Sequence, residues 1–290
     1  MSTHAFLLIL ISAVMHALWN LLVKRSRHKT IFIWWMFVCS GGLFSLVLPF
    51  LPVPFTPPDR QVVLLALAGA LCFALYHLFN GRAYRDGDLS IAYPLSQTSM
   101  IYVPLWGIFL FGERPSIIGI AGILMVIAGA YSVQLRSLSL AELLLPFKSL
   151  GSPSVQSALT AGFIYSLGAI ADKAGVTRYS PLYFTYILVV AMLALMTLNI
   201  LRSHNRTRLL DEWRENRGLI LASGPVMVGS FLTFRYGLKL APMGYAVPVR
   251  QVSILVGVLI GVLFLGEPCG RFRLLAALLI LAGATLIRFG

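Results

Sequence analysis

Charge is what this sequence has least of. Asp, Glu, Lys and Arg make up 11% of its 290 residues, where a soluble domain carries about 25%. No charged residue occurs from Thr30 to Pro58, Gln61 to Gly81, Leu89 to Gly112, Pro115 to Gln134, or Tyr179 to Leu201. Each gap is long enough for a helix to cross a hydrocarbon layer of ~30 Å, which takes about 20 residues. A mean hydropathy of +0.85 excludes an ordinary water-facing surface.

Acidic residues are the scarcer sign, which leaves a net charge of +13. The basic residues sit in short connections between apolar runs, where they anchor loops at anionic headgroups and set topology. That placement excludes a nucleic-acid partner. Cysteine is rare as well: Cys39, Cys72 and Cys269 form no CxxC pair, so neither a metal site nor a disulfide framework is indicated. Neither a HExxH nor a Gly-x-Ser-x-Gly is present, which argues against an intramembrane enzyme. The stretch Met1 to Val23 lacks the charged start and cleavage site of a signal peptide and reads as a first membrane helix.

The charge gaps and turn residues predict an all-α integral membrane protein of ten spans, near 4–23, 30–50, 61–81, 90–111, 115–135, 154–172, 180–201, 218–238, 244–265 and 271–289. The runs are twice the length of barrel strands and do not alternate, which excludes a β-barrel. The longest links are Arg136 to Pro153 and Arg202 to Arg217, and Pro52, Pro54, Pro57 and Pro58 break the helix between the second and third spans.

An internal repeat organises these spans. Ala92-Tyr93-Pro94-Leu95-Ser96-Gln97-Thr98-Ser99 matches Ala246-Val247-Pro248-Val249-Arg250-Gln251-Val252-Ser253, an offset of 154 residues. Leu110-Phe111-Gly112-Glu113 matches Phe264-Leu265-Gly266-Glu267, and Ala128-Gly129-Ala130 matches Ala282-Gly283-Ala284, at the same offset of 154. The expected division is a first five-helix repeat over 1–136, a linker over 137–153 and a second repeat over 154–290. An odd number of spans per half inverts the second half relative to the first, and inverted repeats suit alternating access.

The Pro-containing fourth and ninth spans, each ending in Gly-Glu, and the Gly-Ala motifs of the fifth and tenth resemble the drug/metabolite transporter superfamily, in its EamA-type two-repeat family. The resemblance covers nearly the whole chain. It implies a multi-pass protein of the bacterial inner membrane that moves a small molecule without a cofactor, as a monomer or homodimer. Members export amino acids, other metabolites or toxic compounds, and relatives carry nucleotide sugars and sugar phosphates. The segment Arg85 to Pro94 also resembles a subgroup linked to phosphonate use. The family is usually drawn with both termini in the cytoplasm. Here 15 of the 23 Lys and Arg fall in the loops after odd-numbered spans, which by charge alone places both termini outside.

Polar residues within spans must face the bundle interior or a water-filled hollow, which makes them the site candidates. His16, Trp19 and Asn20 share one face of the first span. Tyr165 and Asp172 share one face of the sixth, and His77 and Asn80, with Tyr76, cluster near the end of the third. Tyr93 and Gln97 stand one turn apart on the fourth span, and Arg250 and Gln251 occupy the matching level of the ninth. Arg250 is the sharpest candidate, because a guanidinium suits bidentate binding of carboxylate or phosphate-like groups. Its alternatives are snorkelling and pairing with Asp172. Gln97 and Gln251 serve either as cavity hydrogen-bonders or as interhelical glue.

His16, His77 and Asp172 are the candidates for proton coupling, though Asp172, at a span end beside Lys173, also reads as a boundary ion pair. No Glu lies within a span, which disfavours a cationic-drug antiporter. Glu113 and Glu267 are expected to cap the helix that follows each of them. Trp34, Trp35 and Trp106 fit interface belts or packing ahead of cavity lining, and Gly257 with Gly261 forms a GxxxG expected to pack helices. The expected function is alternating-access transport of a small anionic or zwitterionic metabolite, such as an amino acid or an organic phosphate or phosphonate. A lipid or lipid-linked anion flippase is the nearest alternative. The bilayer and a small-molecule substrate are the expected partners, with no metal and no cofactor.

Overall fold

The computed structural model describes residues 1–86, 95–133, 150–202, 208–265 and 271–290, with positions 135, 139 and 144, and excepts the side chains at 84–86, 202, 262–265 and 271–272. Among these residues every regular element is helical. The order is α1 Thr3–Arg25, α2 Lys29–Val47 with a 3-10 turn Leu48–Phe50, α3 Arg60–Asp86, α4 Ser99–Phe111 and α5 Ile117–Ser132. The second half gives α6 Pro153–Arg178, α7 Pro181–Arg202, α8 Arg208–Leu240, α9 Met243–Arg250, α10 Val252–Leu265 and α11 Arg271–Phe289. Tyr93, Pro94, Glu267 and Cys269 lie outside the described residues.

Local chemistry sets several boundaries. Ser2, Ser116 and Ser152 accept backbone N–H bonds at the starts of α1, α5 and α6. Gly112 closes α4 at φ +64, a left-handed position that disfavours a side chain. Large apolar side chains such as Phe109, Ile117 and Leu124 point outward, 75%, 87% and 60% exposed, as a lipid-facing surface requires.

Seven helices are long and apolar enough to cross a membrane, and Ser99–Phe111 and Ile117–Ser132 are shorter apolar helices. The ten spans expected from the charge gaps are therefore not all met by length alone. The fourth and ninth segments are each interrupted by a turn, although the ninth, Met243–Gly261, is still among the seven. The chain turns at Gln97 and Thr98 before α4, and at Gln251 between α9 and α10. Gln97 and Gln251 are one repeat offset apart. Pro248, three residues before the second break, removes a backbone N–H and crowds the preceding turn.

Two boundaries differ from expectation. The sixth segment continues past Asp172 to Arg178, so Asp172 lies within a helix and not at its end. Residues 208–217 are helical too, because α8 starts at Arg208 and kinks at Asn216. Glu212, fully buried, explains this: its carboxylate accepts the His28 N–H at 2.8 Å and the Asn216 side-chain amide at 2.8 Å.

Packing is exchange-symmetric between the halves. α3 packs on α6 as α1 packs on α8, α2 meets α8 as α7 meets α3, and α5 pairs with α11. Contacts between helix ends fix the geometry further. Arg288, at the end of α11, holds the Met1 carbonyl at 2.5 Å and the Thr3 hydroxyl at 2.6 Å. The Gly290 backbone lies against Gly119 and Ser116 at the start of α5. Glu113, just before α5, bonds the start of α9, and Lys173 near the end of α6 bonds the Leu238 and Ala241 carbonyls at 2.8 and 2.7 Å. The start of α1 and the end of α6 thus share one end of the bundle.

Candidate functional site

A cavity of about 590 Å³ opens between α1, α3, α6, α8 and the broken fourth and ninth segments. Its wall contains His16, Trp19, Asn20, His77, Asn80, Gln97, Tyr165, Asp172, Arg250 and Gln251. The polar residues singled out in the sequence are thus brought together, Tyr93 excepted because it lies outside the described residues. Both helix breaks present a glutamine to the hollow.

Arg250 projects from the last residue of α9. Its guanidinium stands 4.2 Å over the Phe234 ring, and one terminal nitrogen lies 3.3 Å from His16 Nδ1. A guanidinium only donates, so His16 Nδ1 accepts and the imidazole proton sits on Nε2. The His16 ring is held edge-to-face against Trp19 at 4.8 Å, and the Asn20 amide donates to the His16 carbonyl at 2.8 Å. Among the described residues no carboxylate lies within ion-pair distance of Arg250, and its Nε is buried without a partner.

Asp172 does not form the boundary pair expected with Lys173. It is buried and bound to Arg235, whose Nη2 lies 2.9 Å from Oδ2 and 3.1 Å from Oδ1. Lys173 instead donates to backbone carbonyls. Arg235 is the residue that sequence reasoning missed. Its position inside the 218–238 span is the signal the sequence offers. Both side chains are only 4% exposed, so the two charges offset each other inside the wall, while Arg235 Nε keeps no partner among the described residues.

The remaining wall is aromatic. Tyr165 packs against Phe73 at 5.5 Å and Tyr76 at 5.2 Å, and Tyr76 against His77 at 5.1 Å. Of the other tryptophans, Trp34 donates to Thr197, Trp35 to the Leu209 carbonyl and Trp106 to Ser166. None of the three lines the cavity, whereas Gly257 and Gly261 do, and a Cβ on Gly257 would meet nothing within 4 Å, so no close helix contact is made there.

Glu113 caps a helix, but not the one that follows it. Its carboxylate accepts from Met243 N at 2.5 Å and Gly244 N at 3.0 Å, at the start of α9 in the other half. The N-terminus of α5 is served by Ser116. No group of three or more potential metal ligands occurs among the described residues.

A search among curated proteins finds no match. A solved structure titled "Crystal structure of protein" superposes with a TM-score of 0.72 at 20% identity, over 98% of this chain and 96% of that one. That likeness concerns the fold alone. The model of the EamA-like transporter family matches residues 3–135 and again residues 153–289. With two copies of the family's repeat spanning nearly its whole length, the chain belongs to the EamA-like transporter family, and is a multi-pass membrane transporter of the drug/metabolite type.

Proposed function

We propose that the protein is an alternating-access carrier of ten membrane crossings, arranged as two inverted five-helix halves, which moves a small organic anion or zwitterion through the cavity. The shared end of α1 and α6 and the exchange-symmetric packing support the inverted arrangement. The observation that carries the substrate reading is Arg250. It faces the hollow, it is oriented by His16 and Phe234, and no described carboxylate neutralises it. A cation held in a low-dielectric wall is costly unless a counter-charge arrives, and a substrate carboxylate or phosphate-like group supplies one.

In this reading Gln97 and Gln251 hydrogen-bond the polar head at the two helix breaks. Trp19, Asn20, Tyr165 and Asn80 line its body. For coupling to protons the open position is His77, since His16 is engaged by Arg250 and Asp172 by Arg235. The test is uptake into proteoliposomes of a panel of amino acids, organic phosphates and phosphonates, with and without a pH gradient. The wild type accumulates at least one class, Arg250→Ala abolishes that uptake, and Arg250→Lys retains part of it. Normal transport by a folded Arg250→Ala variant sinks the anion site.

A further inference from the structure

Resting on that anion-site reading, we infer that the cavity selects organic anions that carry no ammonium group, with an apolar or aromatic body, over amino acids of the same skeleton. The inference comes from what the wall leaves for a positive charge. An ammonium taken out of water is offset fully by a carboxylate, and only in part by an aromatic face or neutral acceptors. Among the described residues the wall has one carboxylate, Asp172, and Arg235 holds both of its oxygens. Two ring faces nearest the cations are also occupied: the Arg235 guanidinium stands 5.2 Å over Phe231 and that of Arg250 4.2 Å over Phe234.

The unmatched hydrogen-bonding groups point the same way. Four buried side-chain atoms have no partner among the described residues, and all four belong to residues of this wall. Three are N–H donors, Trp19 Nε1, Arg235 Nε and Arg250 Nε, and one is an acceptor, Asn80 Oδ1. An excess of donors around an uncompensated guanidinium attracts an oxyanion and repels an ammonium. The aromatic wall around Tyr165 then receives an apolar body, and a hollow of about 590 Å³ accommodates a phenyl or branched aliphatic chain.

The experiment titrates the purified protein in lipid nanodiscs with ligands matched in skeleton: 3-phenylpropanoate against phenylalanine and 2-phenylethylamine, and 4-methylpentanoate against leucine. The ammonium-free carboxylates are expected to bind about tenfold or more tightly than the matching amino acids, with no binding of the amine. Arg250→Gln removes that binding and Arg250→Lys retains part of it, while thermal unfolding reports that both variants are folded. The selectivity comparison is made on the wild type, so it stands whether or not a variant folds. Should the amino acids bind as tightly as the plain acids and still require Arg250, the selection is overturned and the anion site survives. Should neither plain acid bind, the selection falls; should binding of every carboxylate be indifferent to Arg250, or the amine bind best, both readings fall together.

Discussion

Gly122 and Gly283 meet backbone against backbone across α5 and α11: a Cβ placed on either glycine would lie 2.6 Å from the carbonyl oxygen of the other. The contact has a counterpart. A Cβ on Gly129 would lie 2.8 Å from the Ala276 carbonyl oxygen, and the pairs 122/276 and 129/283 are each 154 residues apart. The same small-residue contact is therefore used twice, once from each half. In lipid, where apolar burial does not drive helices together, such close approach is what holds them.

Enlarging these glycines should therefore weaken the bundle. Gly122→Leu and Gly283→Leu are expected to cost about 1–3 kcal/mol each through overpacking that the backbone carbonyls cannot relieve. Thermal unfolding in detergent reads the change. Gly42→Ala, with nothing within 4 Å of the added Cβ, is the control and should leave the midpoint unchanged or slightly raised. Equal effects from Gly42→Ala and Gly122→Leu would show that the α5–α11 contact is not close.

The sequence exposed the site better than its supports. Arg250, Gln97 and Gln251 stand in a repeated motif inside charge-free surroundings, which makes them candidates, and the fold brings all three to the cavity wall. Arg235 stands inside the 218–238 span, which sets it apart from the loop cations, but its partner Asp172 comes from another helix and spacing does not show it. Asp172-Lys173 looks like a helix end because adjacent charges usually mark one. Here the pair is satisfied by Arg235 and by the Leu238 and Ala241 carbonyls, so the helix continues. The same reasoning covers residues 208–217, whose charges read as a loop until Glu212 finds the His28 N–H. Glu113 shows the limit most clearly. Local spacing assigns a cap to the following helix, whereas the partner lies 130 residues away in the other repeat.

The Asp172–Arg235 pair yields a second prediction. Removing one member leaves the other as an uncompensated buried charge, and such losses run to about 3–5 kcal/mol. Asp172→Asn and Arg235→Leu should each destabilise on that scale. The double variant, which leaves no lone charge, should recover most of the loss. Stability by SDS titration over the four proteins gives the coupling. Additive losses in the double variant would mean that the two side chains act independently.

His16 is expected to act through Arg250. Its Nδ1 holds the guanidinium in the cavity wall together with the Phe234 ring and a hydrogen bond to Tyr165. His16→Leu leaves a donor unmatched and lets the arginine swing away, so the substrate KM should rise about tenfold with little change in maximal rate. His16→Asn, which can still accept a hydrogen bond, should recover part of the affinity. An unchanged KM for His16→Leu would show that Arg250 is positioned by other groups.

Glu113 joins the halves at the end of the bundle where α8 gives way to α9. Its carboxylate takes the Met243 and Gly244 N–H groups, and Lys173 takes the Leu238 and Ala241 carbonyls beside them. The cavity wall, by contrast, reaches Lys24, Asn80 and Arg273, which lie toward the opposite ends of their helices. The Glu113 end is thus the closed one, and a carrier that alternates must break these polar contacts to open it. Glu113→Gln replaces one accepting oxygen by a donor and weakens the helix-terminus interaction by about 1–2 kcal/mol. That loss should shift the population toward the state open at this end. The measurement is labelling of Ala241→Cys by a membrane-impermeant thiol reagent, in a background where Cys39, Cys72 and Cys269 are replaced by Ser. Ala241 is buried in this state, 3% exposed, so labelling should be slow in the parent and several-fold faster with Glu113→Gln. If stability falls while the labelling rate stays the same, Glu113 is a cap for α9 and nothing more.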